Sequence, residues 1–209
     1  MKPTNKPEIE ILRLSGNKII PYIGNLADLR IRVFREFPYL YVGSTDYEEK
    51  YIQRYTTSDE SVIVIAKVGD NVIGASTGMP LKDEDKMVYG PFKKNGMDWQ
   101  SYFYFGESVL RSEFRGQGIG VRFFEEREKH AISHGYKCTT FCAVDRPENH
   151  PRRPANYKPL DPFWEKRGYK KKSELKTTFK WKDLDDSEES PKSLTFWIKE
   201  HLSPSSLSQ

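Results

Sequence analysis

The sequence predicts an α/β fold, in which helices pack against a central sheet. Three observations carry this reading. β-type runs alternate along the chain with segments of helical periodicity. Two of those runs are joined by Gly69, Asp70 and Asn71, residues that suit the tight turn of a hairpin. A later β-type run passes through Gly116, Gly118 and Gly120 directly into a helix. The 209 residues suit one domain, and 48 of them are Leu, Ile, Val or Phe, enough apolar material to form a core.

The elements follow in order. Residues 9–14 alternate apolar with charged and read as a first strand. From Asn25, the residues Leu26, Leu29, Val33 and Phe37 recur at helical spacing, with Arg30, Arg32 and Arg35 between them, and Pro38 marks the stop. A second helix opens at Thr45, where Thr45 and Glu48 have capping-box spacing, and its Tyr47, Tyr51 and Tyr55 share a face. Residues 61–68 and 72–77 form the hairpin. Residues 82–100 are polar and carry no assigned element. A strand over residues 102–110 leads to the glycines, and a helix runs from about Gly118 to a stop at Gly135. Residues 138–144 are continuously apolar, as expected of a central strand.

The last quarter is less regular. Residues 145–160 include Pro147, Pro151, Pro154 and Pro159 and form a long constrained loop, a common setting for function. A short helix over residues 161–167 and a strand over 175–181 follow. An acidic stretch then precedes residues 193–201, which fit strand or helix, and residues 203–209 are expected to be a disordered tail.

Composition narrows the function classes. Lys and Arg number 34 against 30 Asp and Glu, so the net charge of +4 is small and dispersed, which argues against a nucleic-acid-binding face. The longest apolar run, residues 62–66, is far below the roughly 18 residues of a bilayer span. With no secretory leader pattern at the N-terminus, a cytoplasmic location is expected. Cys138 and Cys142 lie four residues apart in a strand, about 13 Å in extended chain, whereas a disulfide needs Cα atoms within about 7 Å. Two cysteines and four scattered histidines form no metal-ligand pattern, so no metal is expected.

The segment from Leu110 to Val121 carries the chemistry. Glycines let a polyphosphate approach backbone amides at a helix start, where unpaired N–H groups and the helix dipole favour an anion, and Arg115 adds a full charge. By itself a glycine turn is common. A P-loop would need Lys and then Ser or Thr after the last glycine, but Val121 and Arg122 stand there. A dinucleotide fingerprint would need Gly or Ala where Val121 lies.

The run instead resembles the GNAT superfamily of acyl-CoA-dependent N-acetyltransferases, whose signature is Arg or Gln, two residues, Gly, one residue, then Gly or Ala. Arg115, Gly118 and Gly120 match it, and FWEKRGY, residues 163–169, resembles the downstream segment of the same family. The resemblance implies a three-layer fold: a central, mixed and mostly antiparallel sheet with helices on both faces and a splayed pair of parallel strands. It implies one acyl-CoA N-acyltransferase domain over residues 1–202, which moves an acetyl group from acetyl-CoA to a primary amine by direct attack. Ser108, Val109 and Leu110 would face the pantetheine arm. The pyrophosphate would lie on Arg115, Gly116, Gln117, Gly118, Ile119, Gly120 and Val121. A main-chain N–H near a bulge at Gly106 would meet the oxyanion.

Proton transfer is the less determined part. Glu107 is the candidate base, expected in an apolar surround with Phe103, Phe105 and Val109 if the strand is regular; its competing role is an ion pair with an arginine that fixes the sheet. The family often places an acidic tyrosine where this chain has Trp164, whose indole cannot supply a proton, and Tyr157 is an alternative more simply explained by packing. His150, Arg152 and Arg153 suit an anion or a solvated loop, and Cys142 a core position. The expected partners are acetyl-CoA and an amine acceptor, small molecule or peptide, with homodimer formation left open. A non-catalytic acyl-CoA-binding sensor or scaffold is the competing function.

Overall fold

The computed structural model describes residues 8–201; the expected tail, residues 203–209, lies outside them. The strands are β1 (Glu10–Leu14), β2 (Val62–Val68), β3 (Asn71–Pro80), β4 (Tyr102–Tyr104), β5 (Ser108–Leu110), β6 (Cys138–Val144), β7 (Lys170–Trp181) and β8 (Ser190–Glu200). The helices are α1 (Ile23–Phe34), α2 (Thr45–Thr57), α3 (Lys86–Lys94), α4 (Ile119–Ser133) and α5 (Asp161–Glu165). The strands form one mixed sheet in the order β1-β2-β3-β4-β6-β8-β7, with β5 pairing β3 off that path. All pairings are antiparallel except β4 with β6.

Strand β2 explains the layering. Val62, Val64 and Ala66 pack toward Ile119, Phe123 and Phe124 of α4, while Ile63 and Ile65 pack toward Leu26 and Leu29 of α1 and Ile52 and Tyr55 of α2. Alternation along a strand thus places one helical layer on each face. The helix α3 covers the same face as α1 and α2, with Val88 and Phe92 against Tyr102, Cys142 and Phe196. Near α4, Phe163 and Trp164 of α5 close the other face.

Several local expectations change. The helix α1 ends three residues before Phe37. Ser44, not Thr45, occupies the cap of α2, without a side-chain hydrogen bond, and Glu48 turns inward and is fully buried. Tyr47 is exposed while Tyr51 and Tyr55 turn into the protein, because residues four apart drift around a helix of 3.6 residues per turn. Within the polar stretch 82–100 lies α3, capped by Asp85, whose carboxylate accepts from the Met87 amide at 2.9 Å. The strand β7 starts five residues earlier than its apolar run, with a register shift between Lys172 and Lys176, and residues 193–200 resolve as part of β8, with His201 just beyond its end.

The predicted strand over 102–110 is two strands. The first, β4, runs parallel to β6 for three residues, from Tyr102 opposite Cys138 to Tyr104 opposite Thr140, and the Phe105 amide adds a last bond to the Thr140 carbonyl at 2.8 Å. Beyond this point β5 pairs with β3, from Ser108 opposite Ser76 to Leu110 opposite Gly74, while β6 continues beside β8. The two strands therefore fork at residues 105–107.

Candidate active site

The fork opens into a cleft of about 1220 Å³. Its walls include residues 105–108 and Leu110, the glycine loop, residues 141–145 of β6 and just after it, residues 33–40 after and at the end of α1, and Tyr157, Phe163 and Trp164. The backbone of β5 is directed by its register. Thr77 N–H donates to the Glu107 carbonyl at 3.1 Å, and Arg111 N–H donates to the Ile73 carbonyl at 3.0 Å. In an antiparallel ladder the bonded residues alternate, so Val109 bonds Ala75, while the backbone groups of Ser108 and Leu110 point away from β3 into the fork. Val109 is buried and does not line the cleft.

The glycine loop is shaped by positive φ. Gly116 has φ +75° and Gly118 has φ +82°, in the left-handed region that side chains disfavour, and space is open where a Cβ would project from either. Gly118 caps α4, and Val121 N–H already donates to the Gly118 carbonyl at 3.0 Å. Among the described residues the amides of Gly116, Gln117 and Gly118 donate to no backbone carbonyl. Gly116, Gly118, Gly120 and Val121 line the cleft; Ile119 is buried beneath the loop, and the Gln117 side chain turns back to the Glu113 carbonyl at 3.4 Å. Arg115 acts first as a staple: its Nε and Nη2 donate to the Leu110 carbonyl at 3.2 and 3.1 Å, and Nη2 lies 2.8 Å from Glu36. An open cradle of unpaired amides at the start of a 15-residue helix fits the pyrophosphate of an acyl-CoA.

Glu107 lies at the fork, but its surround is not the apolar one expected of a regular strand. Phe103 and Phe105 pack with α4, whereas Val109 packs with α1 and α2. The bulge at Gly106 reverses the parity between them. Glu107 consequently meets Arg30, whose Nη1 is 2.5 Å from Oε1, and Tyr51, whose hydroxyl donates to Oε2 at 3.0 Å. Arg30 Nε also donates to Glu48 Oε2 at 2.5 Å, and the guanidinium stands 4.0 Å from the Tyr51 ring centre. Burial alone would lower the Arg30 pKa, but Glu107, Tyr51 and Glu48 outweigh it and hold the group well above its ordinary value. The bulge is glycine for space: a Cβ at 106 would lie 2.4 Å from the Tyr55 hydroxyl and 2.7 Å from Thr77 Oγ1.

Gly106 N–H is itself taken by the Thr77 carbonyl at 3.2 Å, and Glu107 N–H by Thr77 Oγ1 at 3.3 Å. The first amide after the bulge that faces the fork is therefore that of Ser108.

Two functional positions escaped the sequence reading. Arg30 was grouped with the polar face of α1, although its four-residue spacing from Leu26 puts it on the apolar stripe. Arg127 of α4 is 1% exposed and donates to the carbonyls of Thr77 at 3.1 Å and Glu107 at 3.0 Å, and to Ser108 Oγ at 2.8 Å. It thereby ties α4 to the bulge. Burial pushes its pKa down to about 10. No sequence signal marks it beyond its helical spacing from Phe123 and Phe124.

Trp164 packs on Phe141 and Trp197, each with ring centres 5.1 Å apart. Tyr157 stands edge-on to Phe37 at 4.7 Å. Arg152 pairs with Asp185, Arg153 lies over Tyr157, and His150 packs near Phe37. Cys142 is buried, with the Tyr104 hydroxyl 3.2 Å from its sulfur. Among the described residues no helix is long and apolar enough to cross a membrane, and no group of three or more His, Cys, Asp or Glu side chains is placed to hold a metal.

Comparison with solved structures finds the same fold at low identity. A ribosomal-protein-alanine N-acetyltransferase from Brucella melitensis superposes with a TM-score of 0.59 at 11% identity, covering 91% of this chain and 99% of that one. An N-acetyltransferase from Staphylococcus aureus Mu50 gives 0.58 at 13% identity, covering 92% and 98%. An aminoglycoside 6'-N-acetyltransferase complexed with coenzyme A gives 0.58 at 16% identity, covering 93% and 98%. No curated protein matches the sequence. The family model described as acetyltransferase (GNAT) family matches residues 28–169, from α1 through the glycine loop to Tyr169. With its forked strands, its glycine loop and this match over more than half its length, the chain belongs to the GNAT family of acetyltransferases.

Proposed function

We propose that the protein, read as one catalytic unit over residues 1–202, transfers an acetyl group from acetyl-CoA to a primary amine by direct attack. The observation that carries this reading is the fork: the backbone of Ser108 and the N–H of Leu110, whose carbonyl Arg115 occupies, face away from β3 into a cleft lined by the glycine loop and Glu107. When bound, acetyl-CoA supplies the activated thioester. The amides of Gly116, Gln117 and Gly118 receive the phosphates. Ser108 and Leu110 offer backbone partners to the amide-bearing arm, and Ser108 N–H is the donor for negative charge developing on the carbonyl oxygen. Glu107 takes up the proton that the attacking nitrogen must lose. Each carboxylate oxygen keeps acceptor capacity beyond the contacts to Arg30 and Tyr51, and Glu107 lines the cleft.

The competing role for Glu107, an ion pair that fixes the bulge, is favoured by the 2.5 Å approach of Arg30. The two roles separate by kinetics, as set out in the Discussion. The function itself is tested by calorimetric binding of acetyl-CoA, followed by incubation with a panel of primary amines and peptides and mass analysis of the products. An acetylated amine with matching CoA release is the expected result. Binding of acetyl-CoA without transfer to any acceptor favours the sensor or scaffold reading, and failure to bind it removes both.

A further inference from the structure

A buried cation ordinarily faces a carboxylate, because a charge left unpaired inside a protein is costly. Arg127 of α4 departs from this. It is fully buried, and the acids within its field, Glu107 and Glu128, pair with Arg30 and Lys199 instead. Each hydrogen bond that Arg127 makes goes to a neutral oxygen: Nε to the Phe123 carbonyl at 3.1 Å, Nη1 to the carbonyls of Thr77 at 3.1 Å and Glu107 at 3.0 Å, and Nη2 to Ser108 Oγ at 2.8 Å. The guanidinium carbon also lies 4.1 Å from the centre of the Phe105 ring. Apart from the bond within its own helix, the charge is aimed at the bulge and its β3 neighbour.

The Glu107 carbonyl and the Ser108 N–H belong to one peptide unit. In a planar trans unit these two groups point in opposite directions. The carbonyl is held on the β3 side by both Thr77 N–H at 3.1 Å and Arg127 Nη1. The N–H is therefore turned away from β3 into the fork, as the alternation of the β5 register also requires. A cation on the carbonyl oxygen draws electron density from the amide nitrogen, so the N–H at the far end becomes a stronger donor; hydrogen bonds at the two ends of a peptide reinforce each other.

We propose that Arg127 is a positioning residue that aims and polarises the Ser108 N–H as the donor to the thioester oxygen. The inference rests on the acyltransferase reading above and deepens it. Arg127 acts through the peptide and from the opposite side of it, so its charge supports the developing oxyanion without a direct contact. The residue sits about two and a half turns along α4 from Gly118, on the same helix whose start carries the glycine loop. Burial lowers its pKa only to about 10, which leaves it charged at neutral pH.

The test needs no amine. Acetyl-CoA enriched with ¹³C at the acetyl carbonyl is bound to the parent, Arg127→Gln and Arg127→Lys, and the carbonyl stretch is read by isotope-edited infrared spectroscopy, with affinity measured by calorimetry. In the parent the stretch should lie below its value in buffer. Arg127→Gln removes the charge but keeps an amide for the buried oxygens; it should still bind acetyl-CoA and lose about a third or more of that displacement. Arg127→Lys, which keeps the charge without the fixed fork of donors, should lose less. An unchanged stretch in folded Arg127→Gln with acetyl-CoA bound overturns the assignment, and where that variant does not fold, an unchanged stretch in Arg127→Lys does so. A parent that binds acetyl-CoA without lowering the stretch removes Ser108 as the donor, and the inference with it. Failure of the parent to bind acetyl-CoA instead counts against the acyltransferase reading, so the two failures are distinguishable.

Discussion

Arg30 of α1 and Glu107 of the forked strand meet in a buried ion pair, Nη1 to Oε1 at 2.5 Å, with both side chains under one-tenth exposed. Since Arg30 also holds Glu48, one guanidinium serves two buried carboxylates. Replacing Arg30 with Met leaves both acids without their partner, and removing one member of a buried pair typically costs about 3–5 kcal/mol. Urea unfolding of Arg30→Met should show a loss in that range. A loss near that of an exposed pair, below about 1 kcal/mol, would show that water reaches the carboxylates.

Glu107→Gln separates proton transfer from architecture. Affinity for acetyl-CoA should be retained, because the phosphate cradle lies at the other end of the cleft. If Glu107 is the base, kcat with a confirmed amine falls by roughly 10²- to 10⁴-fold and the acidic limb of the pH–rate profile changes. Trp164→Phe should cost far less. An unchanged kcat and an unchanged acidic limb in Glu107→Gln would assign the carboxylate to structure alone.

Gly118→Trp should fold and lose CoA. No atom lies within 4 Å of where its Cβ would project, so the fold meets mainly the strain of φ +82°, about 1–2 kcal/mol. The indole would occupy the cradle. Calorimetry should show affinity for acetyl-CoA reduced at least about a hundredfold, beyond about 2.7 kcal/mol; parent-like affinity in the folded variant would exclude the loop from binding. Arg115→Ala should have a milder effect and should weaken the salt dependence of binding.

The contrast is Gly106→Ala. A Cβ there would come within 2.4 Å of the Tyr55 hydroxyl and 2.9 Å of the Tyr51 hydroxyl, so the tyrosines or the bulge must move. Overpacking of this kind costs about 1–3 kcal/mol. Thermal unfolding should show it, and a parent-like melting temperature would mean that the hydroxyls yield freely.

The thiol of Cys142 gives a pH prediction. Burial first, then Glu84 among the neighbouring charges, pushes its pKa up to about 12 from an ordinary 9.0. The folded chain keeps this proton between pH 9 and 12 while the unfolded chain loses it, so the Cys142 contribution to stability falls as pH rises through that window. At pH 9 only about one thiol in a thousand is ionised. Iodoacetamide at pH 9 should leave Cys142 unlabelled in the native protein and label it in urea, and rapid native labelling would contradict its burial.

Much of the fold was legible because periodicity and turn chemistry agree in the hairpin and in α1, α4 and β6. The glycine loop was legible because its function needs particular residues at a particular spacing. What escaped involves competition between distant groups. The break of strand 102–110 arises where Thr77 claims the Gly106 and Glu107 amides, and no local pattern reports a partner 30 residues away. Gly90 and Pro91 obscured α3, whose apolar face is Val88 and Phe92. Lys170, Lys171 and Lys172 hid the beginning of β7, an edge strand on which charge discourages pairing with other chains. Arg30 escaped because a charge within an apolar stripe is legible only when its acids, on α2 and after β4, are brought together.

The three-residue ladder between β4 and β6 also has a mechanical meaning. On one side stands the plate β1-β2-β3-β5 and on the other the plate β6-β8-β7, with the short β4 as the weld between them. A molecule that lay along the open arms, hydrogen-bonded to the Ser108 backbone and the Leu110 N–H, would act as a splint across that seam. Occupancy would then stiffen the whole sheet, so that amides on β4 and β6 far from any direct contact would exchange with solvent more slowly.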